Sequence, residues 1–252
     1  MKRIAMMGIT DETVLRAKQL ANEFGYPYTT VISKSYDYVL QITPQFIGLK
    51  STFDPESKPF YIDFSSPVWR YRLQKASLRR ELLGKAIGFK PQTERSIVDV
   101  TAGFGRDAFI LAALGFHLVL LERHPIVYLM LNDALQRAAA LPLLNPITNR
   151  LKIFHADAQE WLTHHHPFHV IYLDPMFPLR TKSAAVKKTM RIMQDIVGFA
   201  ANDAGLLPLA LACATSRVVV KRPRLATYMN DQPPHFSLKG KSTRFDVYLV
   251  KS

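Results

Sequence analysis

The chain has 252 residues, of which 48% are apolar and 21% charged, a composition that excludes a disordered or fibrous protein. Lys and Arg number 33 against 20 Asp and Glu, so the formal charge of +13 predicts a polyanionic partner, nucleic acid before an anionic membrane. Cys213 is the only cysteine, which excludes a disulfide framework and favours a reducing, cytoplasmic setting. No apolar run is long enough for a membrane span, and the short N-terminal apolar stretch does not resemble a signal peptide.

Residues 1–90 are predicted to form a small α+β lobe with an accessory, RNA-binding role. A helical pattern from Val14 to Phe24 ends at Gly25 and Pro27. Short β-like segments follow, separated by turn residues, at Thr29–Ser33, Tyr38–Ile42, Phe46–Leu49 and Phe60–Phe64. The basic run Arg70–Arg80 leads into a predicted helix over Ala76–Ile87, which Gly88 closes.

Residues 91–252 alternate between strand and helix patterns. The predicted strands are Ser96–Thr101, His117–Glu122, Arg150–His155, His169–Leu173 and Arg217–Lys221, with a closing hairpin of His235–Leu238 and Arg244–Val250. The predicted helices are Arg106–Gly115, Pro125–Leu141 and Ala185–Phe199. This alternation predicts an α/β fold with a doubly wound, mostly parallel, seven-stranded sheet. Ligands of such sheets bind at the carboxyl ends of the strands, so the residues after each strand are the candidate site.

The first two strands of this region end in residues suited to a polar ligand. Asp99 is followed by a turn with Gly103 and Gly105, which lets the backbone approach a ligand closely, although a tight packing turn is the alternative. No third glycine follows, so the turn is not the dinucleotide fingerprint. Glu122 ends the second strand and could accept both hydroxyls of a ribose, or it could be a solvated partner of Arg123.

The next two strands also end in an aspartate. Asp157 could accept from the exocyclic amine of an adenine or could cap the following helix. Glycine, glutamate and aspartate thus follow three successive strands, which is the arrangement that an adenosine site requires. The fourth strand ends in Asp174-Pro175-Met-Phe177, a rigid loop in which the aspartate can accept from an amine and the phenylalanine can stack on a base.

These strand ends resemble class I S-adenosylmethionine-dependent methyltransferases. The similarity is strongest to the small-subunit ribosomal RNA guanine-N2 methyltransferase J family. It is carried by Asp99–Phe109, Leu121–Pro125, Tyr172–Pro178, Lys182–Lys188, Val218–Pro223 and Thr243–Tyr248. One departure is visible, since Lys75–Glu81 stands where the family carries a Gly-rich, Arg-containing stretch.

The resemblance implies an enzyme that methylates the exocyclic N2 of a guanosine, guanosine 1516 of the small-subunit ribosomal RNA, as naked RNA or in the 30S particle. It implies S-adenosylmethionine as the cofactor and no metal. The implied cofactor-binding residues are Asp99, Gly103, Gly105, Arg106, Asp107, Glu122, Arg123, Asp157, Ala158 and Asp174. The expected catalytic residues are Asp174 and the Pro175 carbonyl, as acceptors for the amine protons, and Phe177, which stacks on the base. The tract His164-His165-His166 is expected to be a solvated loop rather than a metal site.

Basic residues recur near the predicted site, which favours a phosphate-binding surface over isolated solvated charges. The predicted RNA contacts are Arg180, Lys182, Lys187, Lys188, Arg191, Lys221 and Arg222. Two other functions stay open on the sequence. One is a DNA adenine-N6 or cytosine-N4 methyltransferase, because the Asp-Pro-Met-Phe loop suits those reactions too. The other is a non-catalytic, basic RNA-binding ribosome assembly factor.

Overall fold

A computed structural model describes residues 2–54, 56–88, 90–91, 95–165, 167–175, 192, 195–197 and 205–250. The N-terminal lobe holds a three-stranded sheet of β1 (Ile4–Gly8), β2 (Tyr38–Ile42) and β3 (Ile47–Ser51), with α1 (Asp11–Glu23) after its first strand. β1 pairs parallel to β2, and β2 pairs antiparallel to β3. The predicted helix and two of the predicted strands are therefore confirmed, whereas β1 was not predicted.

Two predicted strands of the lobe are wrong. Thr29–Ser33 and Phe60–Phe64 contain no strand, and each neighbourhood makes a single bridge, Met6 to Tyr28 and Leu49 to Phe60. The physical reason is that β-like residue types form a strand only where a neighbouring strand supplies a continuous ladder of hydrogen bonds. Here the backbone bonds stop after a single bridge.

The predicted helix over Ala76–Ile87 is also wrong in its first half. Helix α2 (Pro67–Lys75) begins after Ser66 with proline in its first turn, and it stops because Ala76 has extended backbone angles. A second helix, α3 (Leu82–Ile87), begins after Glu81 and ends at Gly88, whose φ of +79° is left-handed. The basic run therefore lies on α2 and the turn after it.

The second sheet has seven strands in the order β6-β5-β4-β7-β8-β10-β9. They are β4 (Ile97–Asp99), β5 (Leu118–Glu122), β6 (Leu151–His155), β7 (Phe168–Leu173), β8 (Ala214–Pro223), β9 (Phe236–Lys239) and β10 (Thr243–Leu249). β4 to β8 run parallel, and β10 pairs antiparallel with both β8 and β9. The predicted fold class is confirmed. The strand order reverses between β4 and β7, the point where ligands of such sheets bind.

Helices cover both faces of this sheet. They are α4 (Arg106–Ala113), α5 (Pro125–Ala139), α6 (Asn145–Thr148), α7 (Ala158–His164) and α8 (Leu206–Cys213). Alternate residues of β4 face opposite ways: Ile97 packs with α4 and α5, and Val98 packs with α7 and α8. The predicted helix over Ala185–Phe199 lies outside the described residues, except for helical residues 192 and 195–197. Within the described ranges, no helix is long and apolar enough to cross a bilayer.

The N-terminal lobe shares its core with the second sheet. Phe64 stacks on Phe109 of α4, with ring centroids 3.9 Å apart and planes at 5°. The buried Asp133 of α5 accepts the backbone N–H of Ile47 at 3.0 Å and the guanidinium of Arg137 at 2.8 Å. Arg137 in turn donates to the carbonyl oxygen of Ile62. These contacts fix the lobe against the helices that follow β4 and β5.

Candidate active site

The turn between β4 and α4 has the backbone shape that its glycines predict. Gly103 and Gly105 have φ angles of +54° and +68°, in the region that favours glycine. A Cβ at Gly105 would lie 2.6 Å from a methyl carbon of Leu131, so a larger residue would require the buried Leu131 side chain to move. Asp99, at the end of β4, accepts the backbone N–H of Thr101 at 3.0 Å. The turn is therefore fixed from both ends.

Asp99 is a buried carboxyl group. Only 2% of the residue is exposed, and burial raises its pKa to about 8, with the charges of Asp107 and Asp174 adding to the shift. At neutral pH this carboxyl therefore holds a proton for much of the time. Its environment disfavours a further negative charge and would favour a positive one.

Glu122, at the end of β5, holds the glycine turn from the side. One carboxylate oxygen accepts the N–H of Gly103 at 2.9 Å, and the other accepts the N–H of His124 at 2.7 Å. Burial raises the pKa of this carboxyl, and the two backbone N–H groups oppose the shift. Each carboxylate oxygen has two lone pairs, so each can accept a second donor such as a hydroxyl.

Asp157 is exposed and lies beyond β6, as the cap of α7. One of its oxygens accepts the N–H of Gln159 at 2.8 Å and that of Glu160 at 3.4 Å. The sequence left a cap and a ligand contact open, and the structure shows the cap. Capping uses one oxygen, so the carboxylate can accept another donor as well. β6 lies beside β5, with His155 opposite Glu122, so Asp157 follows on the same edge of the sheet.

Four side chains meet between α4, β7 and β8, and we call them the carboxylate–lysine cluster. They are Asp107, Tyr172, Asp174 and Lys221. The Lys221 ammonium lies 2.6 Å from a carboxylate oxygen of Asp107 and 2.9 Å from one of Asp174. The Tyr172 hydroxyl donates to the same Asp107 oxygen at 2.6 Å. One ammonium group thus lies between two carboxylates, close to where the strand order of the sheet reverses.

The backbone holds Asp174 in place. Its N–H donates to the Thr101 hydroxyl at 2.6 Å, which ties the end of β7 to the glycine turn. The Asp174 side chain is 39% exposed, against 24% for Lys221. Burial raises the pKa of Asp174, the Lys221 ammonium opposes that shift, and the nearby Asp107 charge adds to it. Asp174 is therefore the cluster's most accessible hydrogen-bond acceptor.

Lys221 and Arg222 are predicted to contact RNA phosphate, and the structure shows the partners that both have within the protein. The Lys221 ammonium is held by two carboxylates, and burial, which lowers its pKa, is outweighed by their charges, which raise it. Arg222 is 4% exposed and donates to the carbonyl oxygen of Thr227 at 3.0 and 2.7 Å. Buried cations need such internal acceptors, and contact of these two residues with phosphate stays a prediction.

The other predicted residues divide into two groups. Arg106 is exposed at the start of α4, Arg123 is exposed after β5, and Ala158 and Pro175 are buried. The rest lie outside the described residues: Phe177, Arg180, Lys182, Lys187, Lys188 and Arg191.

Comparison with known proteins shows the family. The family described as "Putative SAM-dependent methyltransferase" matches residues 20–250. A ribosomal RNA small subunit methyltransferase J of Coxiella burnetii is 39% identical over 249 residues, covering 98% of this chain and 97% of the relative. The chain belongs to this family of S-adenosylmethionine-dependent methyltransferases, together with the methyltransferase J proteins. A protein of the same name from Psychromonas ingrahamii is 39% identical and covers 94% of this chain and 92% of its own length.

A solved structure agrees with the family assignment. The crystal structure of an S-adenosylmethionine-dependent methyltransferase from Neisseria gonorrhoeae superposes with a TM-score of 0.76 at 30% identity, covering 97% of this chain and 96% of the other. The protein is therefore a methyltransferase that uses S-adenosylmethionine, and the sequence-based predictions of family, fold, enzyme class and cofactor are confirmed.

The residues at the strand ends fit this cofactor. S-adenosylmethionine carries a positive sulfonium and an ammonium group, beside a ribose and an adenine. Among the described residues, Asp99, Asp107 and Asp174 influence one another electrostatically, and the Lys221 ammonium pairs with Asp107 and Asp174. An excess of carboxyl groups over ammonium groups suits a positively charged ligand. Glu122, at the neighbouring strand end, supplies acceptors of the kind a ribose needs.

Sequence reasoning missed the carboxylate–lysine cluster as a unit. Tyr172 lies inside a buried strand, where a tyrosine usually indicates core packing, and Lys221 was grouped with surface cations. The pairing of β7 with β8 supplies the missing signal, since Leu173 lies opposite Val220 and the next residues of both strands, Asp174 and Lys221, meet.

No group of three or more metal-ligand side chains occurs among the residues that the structure describes. Two residues of the histidine tract are described. His164 lies at the end of α7, and the ring of His165 stacks on Trp161, with centroids 4.3 Å apart.

Proposed function

We propose that the chain transfers a methyl group from S-adenosylmethionine to the exocyclic N2 of a guanosine in small-subunit ribosomal RNA. From the family resemblance, we propose position 1516 for that guanosine. The observation that carries this proposal is Asp174, an accessible carboxylate fixed at the end of β7 by Thr101 and Lys221. Such an acceptor suits an amine nucleophile, whose protons need a partner.

The cofactor is assigned to the edge formed by β4, β5 and β6. Glu122 and Asp157 would hold its ribose and adenine, with the turn of Gly103 and Gly105 against it. Asp99 would lie nearest its positive charge. When bound, the cofactor supplies an electrophilic methyl group, and methyl transfer then needs in-line approach and exclusion of water more than acid–base help.

Asp174 is assigned the amine of the base. The lone pair of a guanine amine is delocalised into the ring, so the nitrogen is a poor nucleophile. A carboxylate that accepts one N–H favours a more pyramidal nitrogen, and the carbonyl oxygen of Pro175 could accept the second. When the amine gains the methyl group, the sulfur of the cofactor would keep the electron pair of the S–C bond that breaks. The amine would then release one proton, which Asp174 would accept. Lys221 stabilises the ionised form of Asp174 and so keeps it an acceptor first and a base second.

The experiment is a direct test of the product. Ribosomal RNA from a strain lacking the protein is incubated with the purified enzyme and S-adenosylmethionine, and the modified base is mapped by mass spectrometry. We expect a single N2-methylguanosine, which an Asp174→Ala enzyme forms at least 10-fold more slowly. As a matched control, Lys152→Met, on the exposed side of β6, should methylate at the wild-type rate. A different methylated base in the RNA, or no methylated base at all, would contradict the proposal.

A further inference from the structure

A cleft of about 300 Å³ lies between the N-terminal lobe and the glycine turn. Its lining includes Tyr61, Asp63, Val68 and Trp69 from the lobe, with Phe104 and Arg106 from the turn. Arg106 immediately precedes Asp107 of the carboxylate–lysine cluster. Successive residues of a helix point about 100° apart, so the cleft and the cluster adjoin each other without sharing side chains.

The aromatic rings of this cleft are held by packing behind them. Tyr61 stacks on Phe46, with centroids 4.2 Å apart and planes at 10°. Trp69 packs edge-to-face against Phe64 at 5.1 Å and against Phe109 at 5.4 Å. Rings fixed in this way lose little entropy when a flat ligand stacks on them.

Two polar groups of the cleft suit a nucleobase. One oxygen of Asp63 accepts the N–H and the hydroxyl of Ser65, at 2.8 and 2.6 Å, which fixes the carboxylate and leaves its other oxygen for a ligand. A carboxylate accepts the amino and imino N–H groups found on base edges. Arg106 contributes an exposed guanidinium at the same cleft. Flat rings, one acceptor and one cation make up a typical site for a base of single-stranded RNA.

Helix α2 continues from this cleft as a basic surface. Its first turn lines the cleft through Val68 and Trp69, and none of its residues is buried. Five exposed cations follow along the helix and the turn after it: Arg70, Arg72, Lys75, Arg79 and Arg80. Arg72 is paired with Glu81 at 2.9 Å. Closely spaced, exposed cations beside a base-sized cleft suit single-stranded RNA, in which a phosphate accompanies each base.

We propose that this cleft is a second nucleobase site, which binds a base of the RNA that flanks the methylated one, and that α2 carries the adjoining phosphates. The inference rests on the proposed function for the identity of the RNA. It adds that the N-terminal lobe holds the substrate directly, by stacking on Trp69. Tyr61 forms the side of the cleft, because its ring already lies against Phe46 and the Arg137 guanidinium.

The chain offers an internal reporter, because it contains two tryptophans, Trp69 and Trp161. In a Trp161→Phe protein, the fluorescence of Trp69 is read alone while single-stranded RNA oligonucleotides are added in the presence of S-adenosylhomocysteine. We expect strong quenching by the intact oligonucleotide. We expect little quenching by an oligonucleotide of equal length whose bases have been removed, since it has the same charge but nothing to stack. Equal quenching by both RNAs, or by neither, would overturn the base site.

Exposed positions supply variants that leave folding intact. Val68 is 78% exposed, and Val68→Asp should weaken RNA binding about 10-fold by placing a negative charge at the cleft, whereas Val68→Thr should not. Leu15→Asp, at a 65% exposed site on α1, is the matched control for the added charge. If Val68→Asp lowered the affinity for S-adenosylmethionine and left RNA binding unchanged, the cleft would belong to the cofactor and the inference would be wrong.

The basic surface of α2 is tested by the salt dependence of RNA binding. Replacing Arg70, Lys75, Arg79 and Arg80 by Gln should flatten the salt dependence of RNA binding by about 0.7 per lost phosphate contact. The same change at Arg16 and Lys34, two exposed cations elsewhere on the lobe, should leave the slope unaltered. An unchanged slope in the fourfold variant would overturn the assignment of α2. These arms measure binding alone, so their failure is distinct from a failure to methylate guanosine.

Discussion

Lys221 is the residue whose replacement tests the active-site assignment most directly. Its ammonium lies 2.6 and 2.9 Å from the carboxylates of Asp107 and Asp174. In Lys221→Met the aliphatic stem is largely kept, but two carboxylates are left without their shared cation. One of them should then take up a proton near neutral pH, because like charges at this separation disfavour double ionisation.

The magnitude follows from how far the cluster is buried. Removing one partner of a fully buried ion pair costs about 3–5 kcal/mol. The side chains here are 24–39% exposed, and water screens them, so we expect Lys221→Met to lose about 1–3 kcal/mol of unfolding free energy. Methylation should fall at least 10-fold, since a protonated Asp174 is a weaker acceptor for the amine N–H and cannot take up the proton that the amine releases. Raising the pH should restore part of the rate, because it ionises the carboxyl again.

Urea unfolding measures the loss of unfolding free energy, and single-turnover methylation at several pH values measures the loss of rate. Lys221→Arg keeps the charge and should retain more activity than Lys221→Met. Lys152→Met removes a lysine from the exposed side of β6 and controls for the loss of charge alone. If Lys221→Met unfolded and methylated like the wild type at every pH, the cluster would have no role in holding Asp174, and the reasoning would be refuted.

Three further predictions concern the cofactor and the core. Glu122→Ala and Asp157→Ala should each weaken S-adenosylmethionine binding by about 1–3 kcal/mol, and unchanged calorimetric affinity in both would contradict the assignment. The folded protein holds the Asp99 proton up to a pKa of about 8, above the ordinary value of the unfolded chain, so unfolding free energy should fall as pH rises from about 4 to 8. Asp99→Asn should flatten that slope, by up to about 1.4 kcal/mol per pH unit, as urea titrations would measure. Asp133→Ala should cost about 2–4 kcal/mol in the same titrations, because it leaves a buried backbone N–H and Arg137 without their acceptor, and an unshifted midpoint would show that the lobe is held by other contacts.

The strand ends could be predicted from sequence because parallel sheets have a strict geometry. A buried apolar run ends where a polar residue appears, and Asp99, Glu122 and Asp174 each occupy that position. Asp157 falls two residues beyond β6, as the start of the following helix. These positions needed no knowledge of contacts between strands, and the structure places them on one edge of the sheet.

Other elements depend on contacts that the sequence does not state. β1 shows four successive buried residues, so it has no alternation to distinguish it from any short apolar stretch. Residues Thr29–Ser33 have strand-forming types, but their backbone bond to β1 is made at Thr29 and is not continued as a ladder. The role of Lys221 depends on the register between β7 and β8, since a shift by one residue would turn its side chain to the other face of the sheet. These features depend on which strands pair and in which register, so the local sequence pattern could not predict them.

The distribution of charge explains how one protein can hold two ligands of opposite sign. The chain as a whole has a formal charge of +13, yet the described residues where the strand order reverses include three neighbouring carboxyl groups and the Lys221 ammonium. Exposed cations act over about 8 Å at physiological salt, whereas partly buried carboxylates are screened much less. RNA should therefore be attracted by the surface and the cationic cofactor by the interior, with little cancellation between them. Raising the salt concentration should then weaken RNA binding steeply and cofactor binding only slightly, and parallel slopes in the two titrations would show that the two charge sets are not separated.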